Sequence, residues 1–409
     1  MPSFERCIGG NMKTIAVITT CRADFGYLYW IMKDIQSSAK LSLQIILPIN
    51  HHEVNNILNE FGCTYLTSPI SSIKDYGQFY SDCHKIMSDT RPDMVVVLGD
   101  RFEVHAAATA ALLLSIPIAH IHGGETTTGA FDNELRNSIT QMATYHFTAT
   151  KDYAEKVGLM LGSKPLINYL EANPHLPNPC IWDWCEAYDM WLSVDDWDKY
   201  YPNQKINIYN VGSSGLDWLT RAKLLSKDKL QQHVSINLNQ PFIMACFHPV
   251  TKELNKTGEY IRELITALYK NDVQVLWIKP NIDPKYEIIN EWIEYACKSY
   301  EWNLVDNLDH LTYLSLLQYA EIMVGNSSSG IIESASFYLP SVTVGSRQDG
   351  RIKPDNVFSC PCETDAILTA MGRAREWNAT VGKCENPYGD GKSSERIVKI
   401  LEGIPCMTV

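Results

Sequence analysis

Ile322-Met-Val-Gly-Asn-Ser-Ser-Ser-Gly-Ile-Ile-Glu333 is a short apolar strand that breaks into small residues and then turns into a helix. Such a strand-to-helix turn is a unit of a parallel sheet. Its small side chains let an anion reach backbone N–H groups that a helix start leaves unpaired. Ser327, Ser328 and Ser329, between Gly325 and Gly330, are therefore candidates to hold a diphosphate. Glu333, one turn into the helix, is placed to accept from ribose hydroxyls, which points to a nucleotide rather than a lone phosphate. The plain alternative is a serine-rich N-cap on an ordinary helix.

The same rhythm extends in both directions. Apolar runs at 14–20, 42–48, 94–98, 118–121 and 145–148 alternate with helical patterns at 25–37, 76–90, 102–114 and 134–144. A second series, with strands at 242–247, 273–278, 303–305, 322–324 and 341–344 and a helix at 254–270, repeats it. The expected fold is α/β, two Rossmann-like doubly wound lobes with a ligand cleft between them at the carboxyl ends of the strands. The first lobe takes residues 12–213 and the second 214–385, with the linker between 213 and 240 following a strand at 206–211. Residues 1–11 carry no pattern and read as a tag remnant or an alternative start. A proline-rich stretch at about 162–203 holds Trp182, Trp184, Trp191 and Trp197 and reads as an insertion, serving as a subdomain, a dimer contact or a lid.

At 409 residues with 45% hydrophobic content, the chain can build two cores. Its 35 Lys plus Arg against 47 Asp plus Glu leave a net charge of -12, so no basic surface advertises nucleic acid or anionic lipid, and an anionic ligand must be held locally. No apolar run approaches the roughly 20 residues of a membrane span, and the N-terminus has no signal-peptide pattern, so a cytoplasmic protein is expected. The 12 cysteines show no zinc-ligand spacing and are expected as reduced thiols, with no metal.

Candidate functional residues fall at strand ends. The first strand runs into Cys21-Arg22-Ala-Asp-Phe-Gly26, where Arg22 suits a phosphate and Gly26 permits close approach. Strand 94–98 delivers Gly99-Asp100-Arg101, and strand 118–121 delivers His122-Gly-Gly-Glu125, followed by Asp132 and Arg136. Three carboxylates and a histidine on one wall suit acid–base work, although each acid alone has N-capping as its commoner fate. From the second lobe come His248, fit to protonate or fix a leaving phosphate, then Asn281, Arg347 and Arg351, the two arginines adding positive charge near the diphosphate seat. Gly389-Asp-Gly-Lys-Ser-Ser394 ends like a P-loop, but position 386 is Asn and no apolar strand precedes it.

Taken in order, Arg22-Ala-Asp24, Gly99-Asp-Arg-Phe102, His120-Ile-His-Gly-Gly-Glu125, Asp132-x-x-x-Arg136, His248-Pro-Val-Thr251, Pro280-Asn-Ile-Asp283, the serine run, Arg347-Gln-Asp-Gly-Arg351 and Tyr388-Gly-Asp-Gly391 resemble the hydrolysing UDP-N-acetylglucosamine 2-epimerases of sialic acid biosynthesis. The resemblance covers about 14–401 apart from the tryptophan-rich segment. It implies the glycosyltransferase-B (GT-B) arrangement, with residues 386–409 forming a terminal helix that packs back on the first lobe. It further implies a UDP-sugar substrate, no metal or redox cofactor, and a homodimer or homotetramer. The implied reaction removes the C2 proton and expels UDP, leaving a 2-acetamidoglucal that is then hydrated to free N-acetylmannosamine. By carry-over, Asp100 and Asp132 move protons at the sugar, with Glu125 as a third candidate, and His248 serves the leaving diphosphate. Arg22, Arg101, Ser327, Ser328 and Arg347 hold phosphates, Glu333 the ribose and Asn281 the nucleotide.

Some positions depart from the family pattern. Animal members carry a glutamate assigned to catalysis where this chain has His122, the bacterial His-Gly-Gly-Glu form, which leaves Glu125 open as the base. Asn133 and Asn137 stand where an acid and a histidine are usual, and Asn50-His-His-Glu53 differs from the family's histidine-containing loop. These changes leave open a 2,4-diacetamido-trideoxy sugar or another nucleotide. A GT-B glycosyltransferase, a reversible epimerase and a non-catalytic nucleotide-sugar sensor are the other readings.

Overall fold

The computed structural model describes residues 12–62, 64–161, 207–281, 283–306 and 308–405. The tryptophan-rich segment and Cys180 and Cys185 therefore lie outside the described residues. The first lobe comprises β1 (Lys13–Ile18), α1 (Arg22–Ser37), β2 (Leu41–Pro48), α2 (Val54–Phe61), β3 (Thr64–Thr67), α3 (Tyr76–Thr90), β4 (Met94–Leu98), α4 (Phe102–Leu113), β5 (Ile118–Ile121), α5 (Asp132–Met142), β6 (Tyr145–Thr148), α6 (Lys151–Met160) and β7 (Ile208–Asn210). The second comprises β8 (Phe242–Cys246), α7 (Thr257–Tyr269), β9 (Gln274–Ile278), α8 (Tyr286–Tyr300), β10 (Asn303–Val305), α9 (His310–Leu317), β11 (Ile322–Gly325), β12 (Ser341–Val344), β13 (Val357–Cys360) and α10 (Thr364–Thr380). α11 (Ser393–Gly403) closes the chain.

Both sheets are parallel, ordered β3-β2-β1-β4-β5-β6-β7 and β10-β9-β8-β11-β12-β13. Each runs outward from a central pair, β1/β4 or β8/β11, where the direction of winding reverses. Loops at such a switch point diverge and leave a crevice. The central strands are buried on both faces, as the uninterrupted Met94-Val-Val-Val-Leu98 run requires. One face of the first sheet is covered by α1 and α11 through Leu28, Ile31, Ile397 and Leu401, and the other by α3, α4 and α5 through Phe79, Val104 and Ile139.

α11 thus returns from the second lobe to the first. Its start is fixed by the buried carboxylate of Asp217, which accepts from the N–H groups of Ser393 at 2.9 Å and Ser394 at 2.6 Å. That is the structural use of the Gly-Lys-Ser-Ser turn. A small apolar cluster of Ala149, Tyr153, Leu216, Ile331, Ile332 and Tyr388 joins residues of both lobes below the crevice. No helix among the described residues is long and apolar enough to cross a membrane.

One local expectation is corrected, and one alternative is set aside. The serine run opens only a single helical turn, Ser329–Ile332, which passes into a 3-10 turn at Ser334–Phe337. A helix this short contributes little macrodipole, so any anion there depends on hydroxyls and individual N–H groups. Nor do Asp100, Glu125 and Asp132 act as side-chain caps. α4 is preceded by Arg101 and α5 by Phe131, and neither end has a side-chain cap bond.

Candidate active site

A cavity of about 430 Å³ opens between the lobes at both switch points. The first lobe supplies the β1–α1 turn with Arg22 and Tyr27, the β4–α4 turn with Asp100 and Arg101, and the β5–α5 loop with His122, Glu125 and Asp132. The second supplies His248 after β8, Asn281 and Asp283 after β9, the Ser327–Ser329 turn with Glu333 after β11, and Arg347 and Arg351 after β12. Gly26, Gly325 and Gly330 are absent from its lining. Gly26 lies inside α1, where a Cβ would come within 2.7 Å of His310, and its carbonyl accepts from Trp218 Nε1 at 2.7 Å. Gly325 and Gly330 are required by backbone and Ser341 contacts behind the cleft.

The acidic wall is held by arginines, two of them, Arg347 and Arg351, reaching across from the other lobe. Glu125 is buried; its Oε1 lies 2.7 Å from His122 Nδ1 and its Oε2 2.6 Å from Arg351 Nη2. Burial alone would raise its pKa, but Arg351 and His122 outweigh that and hold it below the usual carboxylate range. Arg351 therefore belongs to the carboxylate wall and not to the diphosphate seat. Asp100 pairs with the buried Arg136, which also donates to the Glu125 carbonyl at 2.9 Å. Asp132, the first residue of α5, faces Arg347 at 3.5 Å. Its pKa is raised, chiefly by burial and also by neighbouring Asp283, against the pull of Arg347. Arg347 is committed to Asp283 at 3.0 Å and to the Pro249 carbonyl, so it sits between carboxylates rather than free for phosphate.

Hydrogen-bond donors gather on the facing wall. Asn326 ties β8 to β11 by accepting from His248 N–H at 2.7 Å and donating to its carbonyl at 2.8 Å. Burial, assisted by Arg347, lowers the His248 pKa to about 4, so the imidazole is neutral near pH 7. Its Nδ1 accepts from Asn281 N–H at 3.3 Å, which leaves the proton on Nε2. Arg22 lines the cleft with Nη1 buried and unpartnered among the described residues, whereas Arg101 is engaged by Glu103 at 2.8 Å. Tyr313 donates to Ser329 Oγ at 2.6 Å, and Ser327, Ser328 and Ser329 all line the cleft.

Glu333 joins the two walls. Its Oε1 accepts from the Tyr27 hydroxyl of α1, while its Oε2 is buried with no partner among the described residues. Burial raises its pKa. Asp283, the last residue of the Pro280-Asn-Ile-Asp283 motif, also lines the cleft, as do Tyr27, Tyr313 and His310, which the sequence reading does not single out. These three lie on helices with no motif of their own.

A family model described as UDP-N-acetylglucosamine 2-epimerase matches residues 33–165 and 202–402. The UDP-N,N'-diacetylbacillosamine 2-epimerase (hydrolyzing) of Legionella pneumophila is 29% identical over 408 residues, 96% of this chain and 97% of that protein. The polysialic acid biosynthesis protein P7 of Escherichia coli is 26% identical over 416 residues, covering 96% and 94%. Among solved structures, UDP-GlcNAc 2-epimerase from Neisseria meningitidis bound to UDP-GlcNAc superposes with a TM-score of 0.73 at 18% identity, covering 96% of this chain and 100% of that one. At that identity the superposition establishes the shared two-lobed fold.

Proposed function

The chain belongs to the UDP-N-acetylglucosamine 2-epimerase family, and on that premise we propose that it is a hydrolysing 2-epimerase. It would convert UDP-N-acetylglucosamine, or a closely related UDP-2-acetamido sugar, and water to the free manno sugar and UDP. The observation that supports this reading is one cavity lined by His122, Glu125 and Asp132 from the first lobe and by the hydrogen-bond donors His248, Ser327 and Ser328 from the second.

Elimination breaks the C2–H and C1–O bonds, forms the C1=C2 bond of a 2-acetamidoglucal and leaves an electron pair on UDP. Its barrier falls when a base receives the proton and fixed donors meet the negative charge growing on the diphosphate. The neutral His248 supplies Nε2–H, which among the described residues meets only the weak acceptor Cys246 Sγ at 3.4 Å, and Ser327, Ser328 and Arg22 line the same cleft. The unpartnered Glu333 Oε2 suits a ribose hydroxyl. Hydration then needs water at C1 and a proton at C2 on the other face. Asp132 suits that donation, since burial makes it hold a proton to higher pH than an ordinary carboxyl. Asp100, bound to Arg136, shapes the same wall.

A second reading has the sugar carrying a 4-acetamido group and no 6-hydroxyl. Similarity to the Legionella enzyme over nearly its whole length supports it. Release of the free sugar, rather than a UDP-linked epimer, suits supply of a sialic-acid-type acid, in line with the likeness to protein P7. The test is to supply UDP-N-acetylglucosamine and the UDP-2,4-diacetamido-trideoxy sugar separately and follow UDP by chromatography. UDP and a free manno sugar from either one support the reading and choose between the sugars. A UDP-linked epimer, or a requirement for an acceptor, rejects it.

A further inference from the structure

We propose that His122 is the base that takes the C2 proton, with Glu125 orienting its ring and Arg351 holding Glu125; this rests on the 2-epimerase reading above. Glu125 Oε1 is 2.7 Å from His122 Nδ1, and its other oxygen is occupied by Arg351 at 2.6 Å. An ionised carboxylate can only accept, so Nδ1 carries the hydrogen, and in the neutral imidazole it is Nε2 that has the lone pair. That Nε2 is buried, has no hydrogen-bond partner among the described residues, and belongs to a side chain lining the cleft. A carboxylate that fixes a tautomer and steadies the imidazolium formed on protonation is a recurrent means of making histidine a base.

The backbone supports the same conclusion. His122 has φ 63°, a left-handed conformation unfavourable for a non-glycine residue, which persists where the surroundings impose it. At Gly124, φ 82°, an added Cβ would come to 2.4 Å from the Tyr153 carbonyl oxygen, so only glycine fits there. The loop thereby brings Glu125 back beneath the imidazole. The charged and titratable groups facing His122 are Tyr27 of α1, edge-on at 5.5 Å, His120 of β5, Glu125 of its own loop, and Glu333 and Arg351 of the second lobe. The Tyr27 hydroxyl is turned to Glu333 and so does not occupy Nε2. The carboxylates compete poorly for the role. Glu125 has both oxygens engaged, and Asp100 is bound by Arg136.

In the step itself the C2–H electron pair becomes the C1=C2 bond, the C1–O pair departs on the β-phosphate oxygen of UDP, and the proton arrives on Nε2. The imidazolium then returns it to solvent as UDP leaves.

The test compares wild type, His122→Asn and His122→Gly by UDP release from the accepted UDP-sugar, with UDP affinity measured by calorimetry. His122→Asn should lower kcat by about 10²–10⁴-fold, the usual contribution of a positioned base, with KM and UDP affinity changed by no more than about threefold. His122→Gly suits the left-handed backbone and opens a ring-sized space, so added imidazole should restore its rate at least tenfold and leave His122→Asn unaffected. A His122→Asn kcat close to wild type overturns the assignment. So does a well-folded, UDP-binding His122→Gly that imidazole fails to rescue. Failure of wild type to release UDP from either sugar would instead reject the 2-epimerase reading itself.

Discussion

Arg351, on the loop after β12 of the second lobe, lies 2.6 Å from Glu125 on the β5–α5 loop of the first, and both side chains are almost wholly buried. The pair therefore does two things at once: it fastens the lobes and keeps the carboxylate beneath His122 ionised. Removing one member of a buried pair leaves an uncompensated charge, at a cost of about 3–5 kcal/mol. Arg351→Met should lower the melting temperature by several degrees and reduce kcat, and Arg351→Met/Glu125→Gln should lose less stability than the two single changes added together. Additive losses would mean that the two side chains are not coupled.

Stability should fall on mild acidification. Burial lowers the pKa of His120, His248 and His310 to about 4 and that of His146 to about 3. Unfolded histidines titrate at about 6.5, so between there and about 4 the unfolded chain binds more protons than the folded one. Their contribution is complete above that unfolded value and is lost as pH falls through the window. Asp132, Asp217 and Glu333, raised by burial, work in the opposite sense. With six imidazoles, since burial also lowers His51 and His105, against three carboxyls, the melting temperature should drop from pH 7.5 to pH 5; a flat or rising profile would contradict this.

Asp217→Ala should loosen the return of α11 to the first lobe. It strips the partners from the N–H groups of Ser393 and Ser394, and leaving buried donors unsatisfied costs about 1–3 kcal/mol each. Limited proteolysis should release the C-terminal segment from the variant well before the wild type. Equal protection would show that this cap is not what fixes the helix.

Gly325→Ala should give no folded protein. At φ 147°, a Cβ would come to 1.8 Å from the Cys246 carbonyl, and that neighbour is backbone that no rotamer change can move. Gly372→Ala, inside α10 with nothing within 4 Å, should be neutral or stabilising by up to about 1 kcal/mol. Solubility and thermal melts of the two variants check both statements, and a well-folded Gly325→Ala would contradict the first.

What could be read from the sequence follows from which signals are local. The buried strands at Met94–Leu98, Ile118–Ile121 and Tyr145–Thr148 stood out because their apolar runs are bounded by turn residues, and the strand-end position of Asp100, His122 and Glu125 followed from them. Polar α2, the short β3 and the half-exposed β13 lack that contrast and were not foreseen. Arg22, Arg101, Ser327, Ser328 and Asn281 do face the cleft, whereas Gly26, Gly325 and Gly330 serve close packing behind it. Pairings between lobes escaped entirely. Arg351 with Glu125, Arg347 with Asp132 and Tyr27 with Glu333 join residues hundreds of positions apart, and nothing in a linear pattern says which cation meets which carboxylate.

The central claim, elimination and hydration of a UDP-2-acetamido sugar in the interlobe cleft, is tested most directly by proton NMR of the reaction in deuterated water. The account predicts a free manno-configured 2-acetamido sugar carrying deuterium at C2, appearing in step with UDP. A free product that keeps its original C2 hydrogen, or a manno sugar still joined to UDP, would contradict it.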